Sequence, residues 1–175
     1  FAAIFAHRYD AAKRLIERFE QSEAAADRAD EIAAMHLMLL GWTDKVSEML
    51  KAVESVRAVS PNFGPFSAGL ASNASAYCNM ALGRFVEAER DLAETRRTCE
   101  PVNALYALNY AACFAALIDL NHGNIASARV TLESAIERAI AKGQRYGSAG
   151  AVVATYLAEL LFETNELDAW EALVN

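Results

Sequence analysis

The side chains suited to acid–base or metal chemistry are scattered along the 175-residue chain. The three histidines, His7, His36 and His122, are far apart, and none has a partner histidine or cysteine one helical turn away. Glu159 and Glu163 are four residues apart and could form an acid–base pair. Like-charged carboxylates at this spacing are more typical of a solvated helix face. These residues therefore predict neither a metal site nor a catalytic carboxylate pair.

Nucleophilic catalysis has equally little support in the sequence. Ser67, Ser72 and Ser75 lack the G-x-S-x-G context that exposes a catalytic serine. Cys113 lies in an uncharged segment, where a small core side chain is expected rather than a reactive thiol. The cysteine count is odd and no C-x-x-C pair occurs, which favours a reducing cytoplasm. We therefore expect a protein that is not an enzyme and that needs no cofactor.

Composition predicts a globular, helical chain. Hydrophobic residues make up 54% and charged residues 22%, while Gly (8) and Pro (3) are scarce. The formal charge of −7 argues against direct nucleic-acid binding. The uncharged stretch 101–118 is rich in alanine and includes two asparagines, so it predicts a buried helix and not a membrane span. Because the sequence starts at Phe1 with no leader-like segment, we expect a piece of a longer protein without a signal peptide.

A pattern recurs along the chain. It has a turn residue, a large residue at +2, a small or packed residue at +5 and an apolar residue at +9. "ALGRFVEAERDL" (81–92) contains one copy, from Gly83 through Phe85 and Ala88 to Leu92. The other copies are His7-Tyr9-Ala12-Ile16, Gly41-Thr43-Val46-Leu50, Gly123-Ile125-Ala128-Leu132 and Asn165-Leu167-Trp170-Val174. The turns thus recur with a period of about 40 residues, shorter only at the first step, and such a period predicts stacked helical hairpins.

Each hairpin is expected to consist of helix A, a turn and helix B. The predicted A helices cover roughly 27–40, 66–82, 102–121 and 147–163, after a first one that ends before His7. The predicted B helices cover roughly 9–21, 43–58, 84–99, 124–142 and 167 onward. Residues 60–65 contain two prolines and a glycine and are expected to form a loop between two hairpins, while Pro101 is expected in the first turn of a helix.

Charge separates the two helix types. Residues 67–82 contain no charged side chain and 102–121 contain only Asp119, whereas 84–100 carries nine. The A helices are therefore expected on the inside and the B helices on the solvated outside. The predicted fold is all-α, a right-handed superhelix of about five antiparallel hairpins, with residues 1–175 forming a single domain.

The arrangement in "GRFVEA" (83–88) and "GNIASA" (123–128) resembles the tetratricopeptide repeat. The long repeat steps and the alanine-rich A helices are similar to the variant in MalT-like, LuxR-family transcriptional activators. The resemblance implies a bacterial regulator with a nucleotide-dependent switch module, a helical-repeat sensor region and a helix-turn-helix. Since the chain contains neither a Walker A loop nor a basic recognition helix, it corresponds to the sensor or interaction region alone.

The inner layer is the expected binding region. Repeat register directs seven side chains towards a concave groove, and they are Met35, Met38, Asn73, Tyr77, Asn109, Thr155 and Glu159. Such a surface suits a small neutral effector or a protein partner, and the simpler alternative is that these side chains only pack between helices. Residues 66–82 and 102–121 contain no Lys or Arg, which excludes the tetratricopeptide clamp for an acidic C-terminal tail.

The predicted function is non-enzymatic ligand sensing or protein interaction. Adjacent domains of the same chain or a second copy are further expected partners. The alternative is a general protein-interaction scaffold without an effector.

Overall fold

The computed structural model describes Ile4 and residues 6–59, 63–145 and 147–174, and this part of the chain is all-helical, without a strand. The helices, numbered here in chain order, are α1 (Tyr9–Glu20), a 3₁₀ turn (Ala26–Arg28), α2 (Ala29–Trp42), α3 (Val46–Val59), α4 (Pro65–Ala81), α5 (Phe85–Cys99), α6 (Leu105–Asn121), α7 (Ile125–Ala141), α8 (Ser148–Glu163) and α9 (Leu167–Val174). The all-α prediction is confirmed. Residues 1–3 and 5 of the first predicted A helix and residues 60–62 of the predicted loop lie outside the described residues.

Helix ends share one local geometry. Gly83 and Gly123 have positive φ, and so does Asn165. After α4, the Arg84 amide donates to the carbonyl oxygen of Asn79 and the Gly83 amide to that of Met80. This six-to-one and five-to-two pattern is the Schellman C-cap, which needs a left-handed residue and satisfies the last carbonyls of the helix. The same hydrogen bonds recur around Gly123 and Asn165, so both helices stop where the sequence predicts.

The second predicted turn is wrong by three residues. Gly41 lies inside α2, and the left-handed residue is Asp44, with φ of 53°. The Lys45 amide donates to the carbonyl oxygen of Leu40, which completes the same C-cap. Aspartate adopts the left-handed conformation more readily than most non-glycine residues, so it serves here in place of glycine. The repeat then reads Asp44, Val46, Met49 and Val53, and the turns are more evenly spaced along the chain than the sequence predicts.

A second correction concerns the start of α6. Residues 101–103 form a turn, Asn103 has φ of 52°, and the helix begins at Leu105. The Ala104 amide donates to the carbonyl oxygen of Cys99, so this segment caps the preceding helix α5. Pro101 therefore belongs to the end of one helix and does not open the next.

The repeat pattern describes how each B helix packs. The +5 residues Ala12, Ala88 and Ala128 are at most 4% exposed. The +9 residues Ile16, Val53, Leu92 and Leu132 are at most 3% exposed. A small side chain at +5 lets the paired helices approach closely, whereas α3 has the larger, buried Met49 at this position. The residue at +9 fills the space between the helices. The side chain of Val174, at +9 of the last copy, lies outside the described residues.

The chain divides into two compact units, Phe1–Thr98 and Cys99–Asn175. In the first, α2 packs on α1, α3 and α4, and the core includes Leu37, Met49, Val53 and Cys78. In the second, α6, α7 and α8 pack on one another and α9 packs on α8. Its core combines α6, α7 and α8 through Cys113, Leu132, Val153 and Leu157. The superhelical arrangement of the hairpins stays a prediction.

The apolar stretch 101–118 contributes to the core of the second unit, where Ala107, Ala111 and Ala116 are at most 1% exposed. Of the helices within the described residues, none combines the length and the apolar character that crossing a bilayer requires.

Candidate functional site

The seven predicted groove residues fall into both units. Met35, Met38, Asn73 and Tyr77 belong to the first, and Asn109, Thr155 and Glu159 to the second. Each set is therefore described within its own unit.

Asn73 is buried within α4. It is 4% exposed, and the Thr95 hydroxyl of α5 donates to its Oδ1 over 3.0 Å. Every residue from 69 to 76 is buried, so this stretch of α4 leaves no open face. The expectation that Asn73 lines an open groove is corrected because its side chain is buried and accepts a hydrogen bond from α5. The amide instead joins the paired helices α4 and α5.

The other three predicted groove residues of the first unit, Met35, Met38 and Tyr77, are buried or half-buried. Met38 is 7% exposed and Met35 is half-buried. The Tyr77 hydroxyl donates to Oδ1 of Asp44 over 2.7 Å, which ties α4 to the left-handed turn before α3. Met38 is thus an interior residue, and the polar end of Tyr77 supports the hairpin turn.

Asn109 is fully buried between α6 and α8. Its Nδ2 donates to the carbonyl oxygen of Ala149 over 2.8 Å, while its Oδ1 has no hydrogen-bond partner. An amide in this position joins two neighbouring A helices. Its expected place on an open groove is also corrected, because α8 covers it.

Thr155 and Glu159 are the two predicted residues that are exposed. They are four residues apart on α8, so they share one helix face. The Thr155 hydroxyl donates to the carbonyl oxygen of Ala151 in the same helix over 2.9 Å. Of the predicted groove residues, these two are the most accessible to a partner.

The prediction missed an aromatic row on α6. The rings of Tyr106 and Tyr110 are 4.9 Å apart, and those of Tyr110 and Phe114 are 5.9 Å apart. Burial raises the pKa of Tyr110, and the Tyr106 hydroxyl raises it further. Burial also raises the pKa of Tyr156 to about 12. The i, i+4, i+8 spacing of the α6 rings was the sequence signal for this row.

A buried carboxylate was also missed. Asp91 on α5 is 8% exposed, and the Asn79 amide of α4 donates to its Oδ2 over 2.9 Å. This contact and the Thr95–Asn73 hydrogen bond both join α4 to α5. The polar side chains between these two helices thus satisfy one another.

The titratable groups considered for catalysis have other contacts. Nε2 of His36 lies 2.8 Å from Oε1 of Glu20, which links α2 to α1, and Nδ1 of His7 lies 2.7 Å from the Tyr9 hydroxyl.

Burial raises the pKa of the Cys78 and Cys99 thiols to about 11 and that of Cys113 to about 12. In the part of the chain that the structure describes, no group of three or more His, Cys, Asp or Glu side chains could hold a metal ion.

Comparison with known proteins leaves the resemblance a proposal. No protein-family model matches the chain, no curated protein matches it, and no solved structure matches it.

Ion pairs on the outside of the second unit reinforce the last hairpin. The Arg129 guanidinium of α7 lies 2.7 Å from Oε1 of Glu133 and 2.5 Å from Oε2 of Glu166, next to the α8–α9 turn. Hydrogen bonds from Arg129 and Thr164 lower the pKa of Glu166. The turn after α8 is therefore attached to the neighbouring B helix.

Replacing Asn109 by alanine separates a structural role from a ligand-binding one. We expect Asn109→Ala to lower the free energy of unfolding by roughly 1–3 kcal/mol, because a buried hydrogen bond is lost and a void remains. Urea unfolding followed by circular dichroism measures the change. Asn121→Ala is the matched control, since the Asn121 amide also donates to a backbone carbonyl, that of Leu117, but is exposed. Equal stabilities of the two variants would contradict the structural role.

Proposed function

We propose that the chain is a non-enzymatic protein-interaction domain built from helical hairpins. In this proposal it serves as the sensor or interaction region of a bacterial MalT-like, LuxR-family regulator in the cytoplasm. The regulator context rests on the sequence resemblance in residues 83–88 and 123–128. The recurring C-cap at Asp44, Gly83, Gly123 and Asn165 supports the repeat character that this resemblance requires.

One observation favours a protein partner over a small neutral effector. Asn73 and Asn109, the two amides expected to recognise such an effector, are buried and hydrogen-bonded between helices. The α8 helix, by contrast, has an exposed face along its whole length, formed by Ser148, Ala151, Thr155, Glu159 and Phe162. An elongated helix face suits a peptide or a partner helix better than it suits a compact metabolite.

A direct comparison of the two ligand classes tests this proposal. The chain is used to select from a phage-displayed library of helical peptides, and separately is screened by thermal shift against sugars and other neutral metabolites. We expect the selection to enrich peptides that bind the folded chain, and we expect no metabolite to raise the melting temperature. A metabolite that stabilises the chain, together with a failed peptide selection, would contradict the proposal in favour of effector sensing.

A further inference from the structure

Two tyrosines of α6 and one of α8 lie together in the second unit. The rings of Tyr106 and Tyr110 are 4.9 Å apart, with an angle of 50° between their planes. Burial raises the pKa of Tyr156, and Cys113, Tyr110 and Glu159 raise it further, so these groups lie close to its hydroxyl. We call Tyr106, Tyr110, Tyr156 and Glu159 the tyrosine cluster.

The tyrosine cluster is accessible to solvent although α6 and α8 pack on each other. Its three tyrosines are half-buried and Glu159 is exposed. The contact between the two helices uses a different face of α6, on which Asn109 and Cys113 are fully buried. The rings therefore lie beside the helix–helix contact and keep part of their surface in water.

The repeat indicates that this face stays open when an A helix has a neighbour. Leu117 precedes the turn residue Gly123 by the same number of positions as Glu159 precedes Asn165, so the two are equivalent. Leu117 is half-buried, although α8 already covers the adjacent face of α6. A further helix placed on α8 in the same way would leave Glu159 in contact with solvent.

The tyrosine cluster contains a negative charge that no neighbouring cation balances. Neither α6 nor α8 contains a Lys or Arg residue. Glu133 and Glu166 pair with Arg129, whereas Glu159 forms no ion pair with any residue that the structure describes. The carboxylate beside the rings is therefore available to a cation that these two helices do not supply.

A guanidinium group matches both parts of the tyrosine cluster. The face of an aromatic ring attracts a cation, and the planar guanidinium group can stack on it. Its N–H groups can at the same time donate two parallel hydrogen bonds to one carboxylate. Tyr156 and Glu159 are three residues apart on α8, so the ring and the carboxylate share one helix face. A lysine ammonium is a compact, strongly hydrated charge and uses this arrangement less fully.

We propose that the tyrosine cluster binds an arginine side chain of a partner peptide, with the guanidinium group stacked on a tyrosine ring and hydrogen-bonded to the Glu159 carboxylate. This inference rests on the proposed interaction function and names the side chain that the domain recognises. All four residues of the cluster belong to the second unit.

The probe is the peptide acetyl-Ala-Ala-Arg-Ala-Ala-amide, titrated into the 175-residue chain and followed by two-dimensional NMR. We expect it to shift the backbone amide signals of residues 156–159. Its control contains citrulline, which has nearly the shape of arginine without the charge, and should bind at least about fivefold more weakly. A lysine peptide should bind at least about twofold more weakly than the arginine peptide.

Variants of the chain locate the site. Glu159→Gln and Tyr156→Leu should each weaken binding of the arginine peptide at least about threefold, because one removes the charge and the other the ring. Tyr156→Phe keeps the ring and should retain binding. The matched charge control is Glu137→Gln, which changes an exposed residue of α7 and should leave binding unchanged. Circular dichroism confirms that each variant is folded.

Four results would overturn the inference. They are the absence of shifts with the arginine peptide, equal binding of the arginine and citrulline peptides, equal effects of Glu159→Gln and Glu137→Gln, and binding of free methylguanidinium as tight as that of the peptide. The last result would assign the tyrosine cluster to a small cation. Library peptides that bind equally well to the Glu159→Gln and Tyr156→Leu variants would overturn this site and leave the proposed interaction function intact.

Discussion

Leu132→Ala should lower the free energy of unfolding by about 3 kcal/mol, within the range of roughly 2–5 kcal/mol typical of such changes. Leu132 is 1% exposed and lies in the core cluster shared by α6, α7 and α8. The substitution removes apolar contacts and leaves a cavity that three helices cannot easily close. Urea unfolding monitored by circular dichroism measures the effect.

The control for this substitution is two residues away. Val130→Ala removes an apolar side chain from the same helix, but Val130 is 62% exposed. Its effect should stay within about 0.5 kcal/mol. A loss below about 1 kcal/mol for Leu132→Ala would show that the +9 position of the repeat is not a core position.

Gly150→Ala is expected to lower the free energy of unfolding by roughly 2–3 kcal/mol. A Cβ at this position would lie far inside contact distance of the carbonyl oxygens of Gln144 and Arg145. These are backbone atoms, so relief requires the segment before α8 to move. The closeness of this segment explains why glycine stands in a helix, where alanine is otherwise favoured by about 1 kcal/mol.

Gly41→Ala should have the opposite effect and raise the free energy of unfolding. Gly41 also lies within a helix, α2, but a Cβ there would meet only the Met49 sulfur at 3.7 Å, an ordinary contact. We expect a gain of about 0.5–1 kcal/mol from the lower entropy of the unfolded chain. Thermal unfolding of the Gly41→Ala and Gly150→Ala variants side by side shows whether each substitution raises or lowers the stability. Two losses of equal size would contradict the close approach at Gly150.

Helix positions followed from the sequence because the information is local. The left-handed residues Gly83, Gly123 and Asn165 are types that take this conformation readily, and the apolar spacing after each identifies the next helix. The error at Gly41 arose because glycine permits a turn without requiring one. The conformation belongs to Asp44, whose side chain accepts a hydrogen bond from Tyr77 of α4, a contact that no local pattern contains.

The candidate site was predicted less well because burial depends on neighbouring helices. Register places Asn109 and Thr155 on corresponding faces of α6 and α8, yet one is fully buried and the other exposed. The difference comes from α8, which covers α6 and is itself uncovered on this face. The pattern within a single repeat does not show whether another helix covers a given face of its A helix.

The recurring C-cap also bears on how the chain folds. Its hydrogen bonds join residues three and five positions apart, as between Gly83 and Met80 and between Arg84 and Asn79. Each hairpin can therefore form its turn before any contact with a distant part of the chain, and little loop-closure entropy is lost. Folding should be able to nucleate in more than one hairpin and spread to its neighbours at a rate typical of chains with low contact order.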